Sequence, residues 1–261
     1  MQILTLRGTT ERPGPGSLLA SLTPQLDPGI VVHDVDYPAA IGPANPDHNP
    51  LGGVSLYDSV EAGVAEIARL VARADEPVGL VGYSLGAMAI SRYLERCRSG
   101  WITAGFDANR IAFVGLVANP LRAEGDSIDG KAHGWGIAGQ HGPWPVLPVF
   151  EIANPGDMIT ACPANSPLRY LADSLTFASA TDLGLWKADI MSRLRTGNWQ
   201  LAGARPPLRD YAAAVTGLWG YLFGGQHVGA YTRPDGSGVS MLGRLAGLIN
   251  EQARTRRAAA G

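Results

Sequence analysis

Residues 82–86 read Gly-Tyr-Ser-Leu-Gly, which is the pattern G-x-S-x-G. An apolar run over 77–82 leads directly into this pentapeptide, and a helix-like segment over 85–98 leads directly out. A serine on such a tight strand-to-helix turn is held in a strained backbone conformation, with its hydroxyl above the sheet edge. The following helix N-terminus also favours negative charge that develops nearby. The pattern predicts that Ser84 is a nucleophile; a serine that only caps the helix is the alternative.

A serine nucleophile needs a general base, and the base needs a carboxylate that fixes its tautomer. In hydrolases built on this turn, the order along the chain is serine, acid, histidine. The apolar segment 146–152 leads into a turn that carries Asp157, at the strand end where catalytic groups collect in parallel sheets. His227 is the only histidine beyond Asp157. We therefore predict a triad of Ser84, Asp157 and His227.

Other carboxylates and histidines remain open as alternatives. Two carboxylates in the loop after the apolar segment 110–117 are alternative acids: Asp126 and Asp129. The remaining histidines would break the expected order along the chain, so we interpret them as structural or surface residues: His33, His48, His133 and His141.

The tetrahedral intermediate of acyl transfer needs two hydrogen-bond donors aimed at its oxyanion. The first is expected to be the backbone N–H of Leu85, the residue after the nucleophile. The second is expected from the loop after an early strand, where residues 7–11 read Arg-Gly-Thr-Thr-Glu and offer N–H groups and hydroxyls. As a sequence, 7–11 is equally an ordinary polar turn.

The elements that position these residues alternate between apolar strands and amphipathic helices. Strands are predicted over 2–6, 30–35, 77–82, 110–117 and 146–152. Helices are predicted from Ser55, whose Asp58 completes a near capping box, and over 85–98, 168–194, 210–223 and 241–254. This alternation predicts one α/β domain over 1–261, with a parallel sheet covered on both faces and a helical insertion over 165–225.

Composition excludes several classes of protein. Of the 261 residues 46% are hydrophobic and the net charge is −2, so disorder is not the dominant state. The 21 basic and 23 acidic residues make nucleic-acid binding unexpected. No apolar run reaches the ~18 residues of a membrane span, and no signal peptide is expected. Cys97 and Cys162 form no framework, their pairing stays open, and no metal or cofactor is expected.

Four segments resemble the cutinase family. Residues 6–11 resemble the signature that supplies the cutinase oxyanion hole, which implies a role for Thr9 through its N–H and hydroxyl. Residues 82–87 match the turn that carries the cutinase nucleophile. Residues 154–158 resemble the cutinase segment that carries the catalytic acid, and residues 227–231 resemble the segment that carries the catalytic histidine. The order and approximate spacing agree over nearly the whole chain. The resemblance implies a cutinase-like α/β-hydrolase fold and a serine esterase.

Three expectations separate the chain from secreted cutinases: no signal peptide, no framework of paired cysteines, and a longer connection, since 70 positions lie between Asp157 and His227. In this it resembles lysin B of phages that infect mycobacteria and related actinobacteria. That resemblance implies hydrolysis of the mycolic acid–arabinogalactan ester, by a protein made in the host cytoplasm and released at lysis. The apolar residues of the predicted insertion 165–225 either line a site for the acyl chain or pack on the core as ordinary helix faces. Alternatives are a general cutinase or lipase, an acyl transferase, a serine peptidase, or a catalytically degenerate phage structural or binding protein.

Overall fold

The computed structural model describes residues 1–49, 52–99, 105–164, 166, 168–169, 172 and 225–260. Nearly all of the predicted helix 168–194 and the whole of 210–223 lie outside the described residues, together with most of the insertion 165–225. The predictions of that insertion and of a single domain over the whole chain therefore stay predictions.

A five-stranded parallel sheet forms the centre of the described part of the chain, with the strand order β2-β1-β3-β4-β5. The strands are β1 (Gln2–Leu6), β2 (Val31–Asp34), β3 (Val78–Tyr83), β4 (Ile111–Val117) and β5 (Val149–Ile152). All five predicted strands are present, and the parallel α/β sheet is confirmed. β5 begins three residues later than predicted, just after Pro148, which has no N–H to donate to the ladder.

Helices cover both faces of the sheet. The described helices are α1 (Leu56–Arg73), α2 (Leu85–Ser99), α3 (Gly229–Thr232) and α4 (Met241–Ala260), with 3₁₀ turns at Leu18–Gln25 and Ala108–Arg110. The hydroxyl of Ser55 accepts the N–H of Asp58 at 3.1 Å and donates to its carboxylate at 2.7 Å, which confirms the predicted start of α1. In the part of the chain that the structure describes, no helix is long and apolar enough to cross a membrane.

The two sides of the core follow from the alternation of side chains along each strand. Leu80 of β3 is buried among residues of α1 and α2, whereas its neighbour Val81 is buried with residues of α4 and the first 3₁₀ turn. Leu116 and Val117 of β4 divide in the same way. Burial on both faces explains why β3 and β4 are continuously apolar in sequence.

Candidate active site

Ser84 occupies the turn between β3 and α2, at the carboxyl edge of the sheet. Its φ angle is +54°, a left-handed conformation that costs a residue other than glycine about 1–3 kcal/mol. The turn is fixed by the Ser84 N–H, which donates to the Val117 carbonyl at the end of β4 at 2.8 Å. The side chain is held by the backbone at the one place where the strand changes direction into the helix.

The two glycines of G-x-S-x-G are required by close backbone contacts. A Cβ at position 82 would lie 2.6 Å from the backbone nitrogen of Ala87 in α2. A Cβ at position 86 would lie well inside 3.0 Å of the Leu6 carbonyl oxygen at the end of β1. Only glycine lets α2 pack this closely on β1 and β3, and that packing sets the height of Ser84 above the sheet.

The three residues of the predicted triad form one chain of hydrogen bonds. His227 Nε2 lies 2.9 Å from Ser84 Oγ, and His227 Nδ1 lies 2.7 Å from Asp157 Oδ2. All three side chains are buried; Asp157 is 0% and His227 4% exposed. Because an ionised carboxylate only accepts hydrogen bonds, the proton is assigned to Nδ1, which leaves Nε2 to accept the serine proton. The arrangement can therefore transfer a proton from Ser84 to His227.

The buried carboxylate of Asp157 meets two further donors. Its Oδ1 accepts the Ile159 N–H at 3.0 Å, and its Oδ2 accepts the Tyr231 hydroxyl at 2.8 Å. Burial, with the negative charge of Asp157 next in effect, raises the pKa of Tyr231 well above its ordinary value. Tyr231 thus keeps its proton and remains a donor to the carboxylate.

The segment that carries His227 is held to the sheet on both sides. The Tyr83 hydroxyl donates to the His227 carbonyl at 2.8 Å, and the Tyr83 ring lies 5.2 Å from the imidazole, centre to centre. The Asn154 amide donates to the Gln226 carbonyl at 2.8 Å, which links the turn of Asp157 to the residue before His227. These contacts place the imidazole between its two partners.

The two predicted oxyanion donors lie at the same sheet edge as Ser84. Leu6 pairs in register with Gly82, so the turn after β1 is a neighbour of the turn after β3. Among the described residues, neither the Thr9 N–H nor the Leu85 N–H donates to an acceptor. Both amides are therefore available to a bound carbonyl oxygen.

No protein-family model matches the chain, and no curated protein matches it. Among solved structures, the fold is similar to that of lysin B from Mycobacteriophage D29, with a TM-score of 0.60 and 20% identity over 85% of this chain and 89% of that one. The chain has a cutinase-like α/β-hydrolase fold. Further similar chains are the catalytic core of acetyl xylan esterase from Trichoderma reesei (TM-score 0.48, 20% identity, 74% and 97% covered) and a cutinase-like protein from Cryptococcus sp. (0.44, 20%, 78% and 96%).

Within this α/β-hydrolase fold, the alternative acids have other partners. Asp126 Oδ2 lies 3.0 Å from Nε2 of His141, whose Nδ1 faces the Gly142 carbonyl at 2.8 Å. Asp129 accepts the Lys131 N–H at 3.1 Å. The other histidines that we interpreted as structural or surface residues are exposed: His33, His48 and His133. The structure brings Asp157, and neither alternative acid, against His227.

Sequence reasoning missed Tyr83 and Tyr231 as partners of the triad. Tyr231 follows His227 by four positions, a spacing that within a helix would place both side chains on one side, although here the helix begins only at Gly229. That signal was present in the sequence, but the pairing of Tyr231 with Asp157 spans 74 positions and depends on the fold. Tyr83 is a variable position of G-x-S-x-G, so the motif assigns it no role.

A cavity of about 410 Å³ lies between α1 and α2 of the hydrolase fold. Met88, which lines it, is one helical turn beyond Ser84, and its N–H donates to the Ser84 carbonyl at 3.1 Å. The other lining residues are apolar or charged: Leu56, Tyr57, Val60, Glu61, Arg92, Glu95, Arg96, Ala138 and Ala172. None of the triad residues or predicted oxyanion donors lines this cavity.

The two cysteines do not form a disulfide; both are free thiols. Burial raises the pKa of Cys97 to about 11 and that of Cys162 above its ordinary value, so neither thiol is activated as a nucleophile. In the described part of the chain, no three His, Cys, Asp or Glu side chains are grouped as a metal site requires.

Proposed function

We propose that this protein is a serine esterase that hydrolyses lipid esters. The observation that carries the proposal is the buried chain of hydrogen bonds from Ser84 Oγ through His227 to Asp157, at 2.9 and 2.7 Å. In the proposed roles Ser84 is the nucleophile, His227 the general base and acid, and Asp157 the residue that orients the histidine. Thr9 and Leu85 are the proposed oxyanion donors.

In the acylation step, Ser84 Oγ attacks the carbonyl carbon of the ester while its proton passes to His227 Nε2. The carbonyl π electrons move to oxygen, and the N–H groups of Leu85 and Thr9 stabilise that charge. The intermediate collapses as the C–O bond to the alcohol breaks, and His227 returns its proton to the departing oxygen. An acyl-serine and a free alcohol result.

In the deacylation step, a water molecule takes the place of the alcohol. His227 removes its proton as the oxygen attacks the acyl carbon, and then protonates Ser84 Oγ as that bond breaks. The buried Asp157 stabilises the positive charge that His227 carries in both transition states. Its bond with Tyr231 keeps the carboxylate in place while that charge appears and disappears.

The proposed substrate is the mycolic acid–arabinogalactan ester of the mycobacterial type of cell envelope. Similarity of fold to lysin B over most of both chains supports this choice. The proposal includes synthesis in the host cytoplasm and release at phage lysis. A cutinase or lipase that acts on other lipid esters is the alternative within the same chemistry.

The first test measures fatty-acid release from purified mycolyl-arabinogalactan-peptidoglycan by mass spectrometry. Wild-type protein is compared with Ser84→Ala and with Ser99→Ala, a control at the exposed end of α2. We expect mycolic acids from the wild type and the control, and none from Ser84→Ala. Cleavage of soluble p-nitrophenyl esters without mycolate release would retain the esterase and reject the substrate. No cleavage of any ester would reject both.

A further inference from the structure

The turn that carries Thr9 is bound on both sides by the carboxylate of Glu11. Glu11 Oε2 accepts the Gly8 N–H at 2.7 Å, and Glu11 Oε1 accepts the Leu18 N–H at 2.7 Å. The same side chain thus joins the turn after β1 to the start of the 3₁₀ turn Leu18–Gln25. Both bonds are of the short, charge-assisted kind.

In the turn after β1, the N–H groups on either side of Thr9 both donate to acceptors within the protein. The Gly8 N–H donates to the Glu11 carboxylate, and the Thr10 N–H donates to the Ala39 carbonyl at 3.0 Å. Between them, the Thr9 N–H has no acceptor among the described residues. Thr10 adopts a left-handed conformation, with φ at +69°, so the chain turns sharply just after Thr9. Because its two neighbours are already bonded and it is not, the Thr9 N–H is the amide of this turn that can donate to a ligand.

From this geometry we infer that Glu11 is a positioning residue for catalysis, which aims the Thr9 N–H at the oxyanion by holding the Gly8 and Leu18 amides. The inference rests on the proposed esterase function and deepens it. Glu11 does not touch the reacting atoms; it acts through the backbone of the turn. Its effect belongs to the transition state, because a misaligned donor weakens the oxyanion contact more than it weakens ground-state binding.

The chain path of the turn is secured independently of the Glu11 carboxylate. The guanidinium of Arg7, itself 7% exposed, donates to the Glu11 backbone carbonyl at 2.8 Å and to the Val35 carbonyl at 3.1 Å. It also bonds to the Tyr37 carbonyl. Because these bonds involve no side-chain atom of Glu11, a variant at position 11 is expected to fold with the turn in place. What such a variant loses is the direction of the Gly8 and Leu18 amides.

The negative charge of Glu11 favours catalysis in a second way, through His227. Burial raises its pKa, whereas the Gly8 and Leu18 N–H groups and the charges of His227 and Arg7 lower it. The reciprocal effect is that an ionised Glu11 stabilises the imidazolium that forms at His227. Tyr83 and Tyr37, which also lie near Glu11, stay neutral because burial raises the pKa of each.

The experiment compares kinetics of three variants on a soluble ester. Glu11→Gln keeps the size of the side chain but places an NH₂ group against one of the two N–H donors. Glu11→Asp keeps the charge but lacks the reach for both amides. Asp107→Asn is the control: Asp107 also accepts a backbone N–H, that of Asn109 at 2.9 Å, but precedes β4 at the opposite edge of the sheet.

We expect Glu11→Gln to lower kcat by about 10–100-fold, in the range of a partly lost oxyanion donor, with KM changed by less than about threefold. Glu11→Asp is expected to lower kcat to a similar degree. Its shorter side chain keeps the charge but cannot accept the Gly8 and Leu18 N–H groups together. Affinity for an alkyl boronic acid, which adds to Ser84 Oγ as a tetrahedral adduct, should fall in parallel with kcat/KM. The melting temperature of Glu11→Gln should fall by no more than the loss of one N–H partner costs, so the protein stays folded at the assay temperature. Asp107→Asn should keep the kcat, KM and melting temperature of the wild type.

Several outcomes would overturn the inference. They are unchanged kcat in Glu11→Gln, a loss confined to KM, or a loss of activity that only follows a loss of folded protein. Full activity of Glu11→Asp would assign the effect to charge near His227 and would reject amide positioning. Absence of esterase activity in the wild type is a separate result, since it rejects the proposed function before any variant is compared.

Discussion

The hydroxyl of Tyr231 donates a 2.8 Å hydrogen bond to Oδ2 of Asp157, the same oxygen that faces His227 Nδ1 at 2.7 Å. Tyr231 lies four residues after His227 in the chain, in the short helix α3. The turn that carries His227 and the short helix that follows it therefore supply the imidazole and the phenol that contact the carboxylate. The Tyr231 oxygen also accepts the Asn154 N–H at 3.2 Å, and this bond links Tyr231 to the backbone just after β5.

Tyr231→Phe is expected to lower both activity and stability. Removal of the hydroxyl leaves the Asn154 N–H and one site on Asp157 without this partner, at a cost of about 1–3 kcal/mol in the free energy of unfolding. The carboxylate gains freedom to rotate away from His227, so kcat should fall by about 10-fold. Urea unfolding and ester hydrolysis measure the two effects. Wild-type kcat in a folded Tyr231→Phe would show that the phenol does not position Asp157.

Asp157→Asn tests which carboxylate serves His227. The asparagine amide favours the tautomer with the proton on Nε2, which then cannot accept the Ser84 proton, so kcat should fall by about 10³–10⁴-fold. The matched control is Asp126→Asn, which removes the carboxylate that faces His141 at 3.0 Å. We expect the control to stay within about twofold of wild type. A large loss in Asp126→Asn, with little loss in Asp157→Asn, would assign the acid to the other loop.

The strands and the nucleophile turn could be predicted from the sequence because each is a local feature. β3 and β4 are continuously apolar and the glycines at 82 and 86 follow at fixed offsets, so their pattern alone predicts a buried strand and a tight turn. The order serine, acid, histidine then leads to His227, and the turn after β5 favours Asp157, but only the folded chain decides against Asp126 and Asp129. The roles of Tyr231 and Glu11 depend on hydroxyl and carboxylate directions in the folded chain, which periodicity and motif spacing do not carry.

Gly86→Ala is expected to be strongly destabilising, by about 3 kcal/mol or more, because the added methyl would overlap the Leu6 carbonyl and push α2 away from β1. The displacement would also move Ser84, so activity should fall in whatever fraction folds. Thermal unfolding and hydrolysis of a soluble ester measure both.

Gly247→Ala is the control for that substitution. Gly247 lies inside α4, and nothing lies within 4 Å of the position that a Cβ would take. Alanine should therefore stabilise the helix by up to about 1 kcal/mol and leave activity unchanged. Equal melting temperatures for the two variants would contradict the close approach of α2 and β1.

Glu151 of β5 gives the protein a pH-dependent stability. Burial raises the pKa of its carboxyl from the ordinary 4.5 to about 8; nearby Asp126 acts in the same direction, whereas the Asn119 amide and Arg122 oppose it. The Asn119 amide donates to Glu151 Oε1 at 2.8 Å and to Ser91 Oγ at 3.1 Å. These two bonds link the residue just after β4 to β5 and to α2. At neutral pH the folded protein holds this carboxyl protonated.

The sign of the pH effect follows from proton uptake on folding. Between the unfolded pKa of 4.5 and the folded pKa of about 8, folding binds one proton at Glu151. The free energy of unfolding should therefore fall as pH rises through this window, on the order of 1 kcal/mol per pH unit from this group. Glu151→Gln, which mimics the neutral acid, should flatten that slope, whereas Glu124→Gln, at an exposed carboxylate, should not. Urea unfolding at pH 5 to 9 measures the three slopes, and parallel slopes for wild type and Glu151→Gln would show that Glu151 is ionised in the folded state.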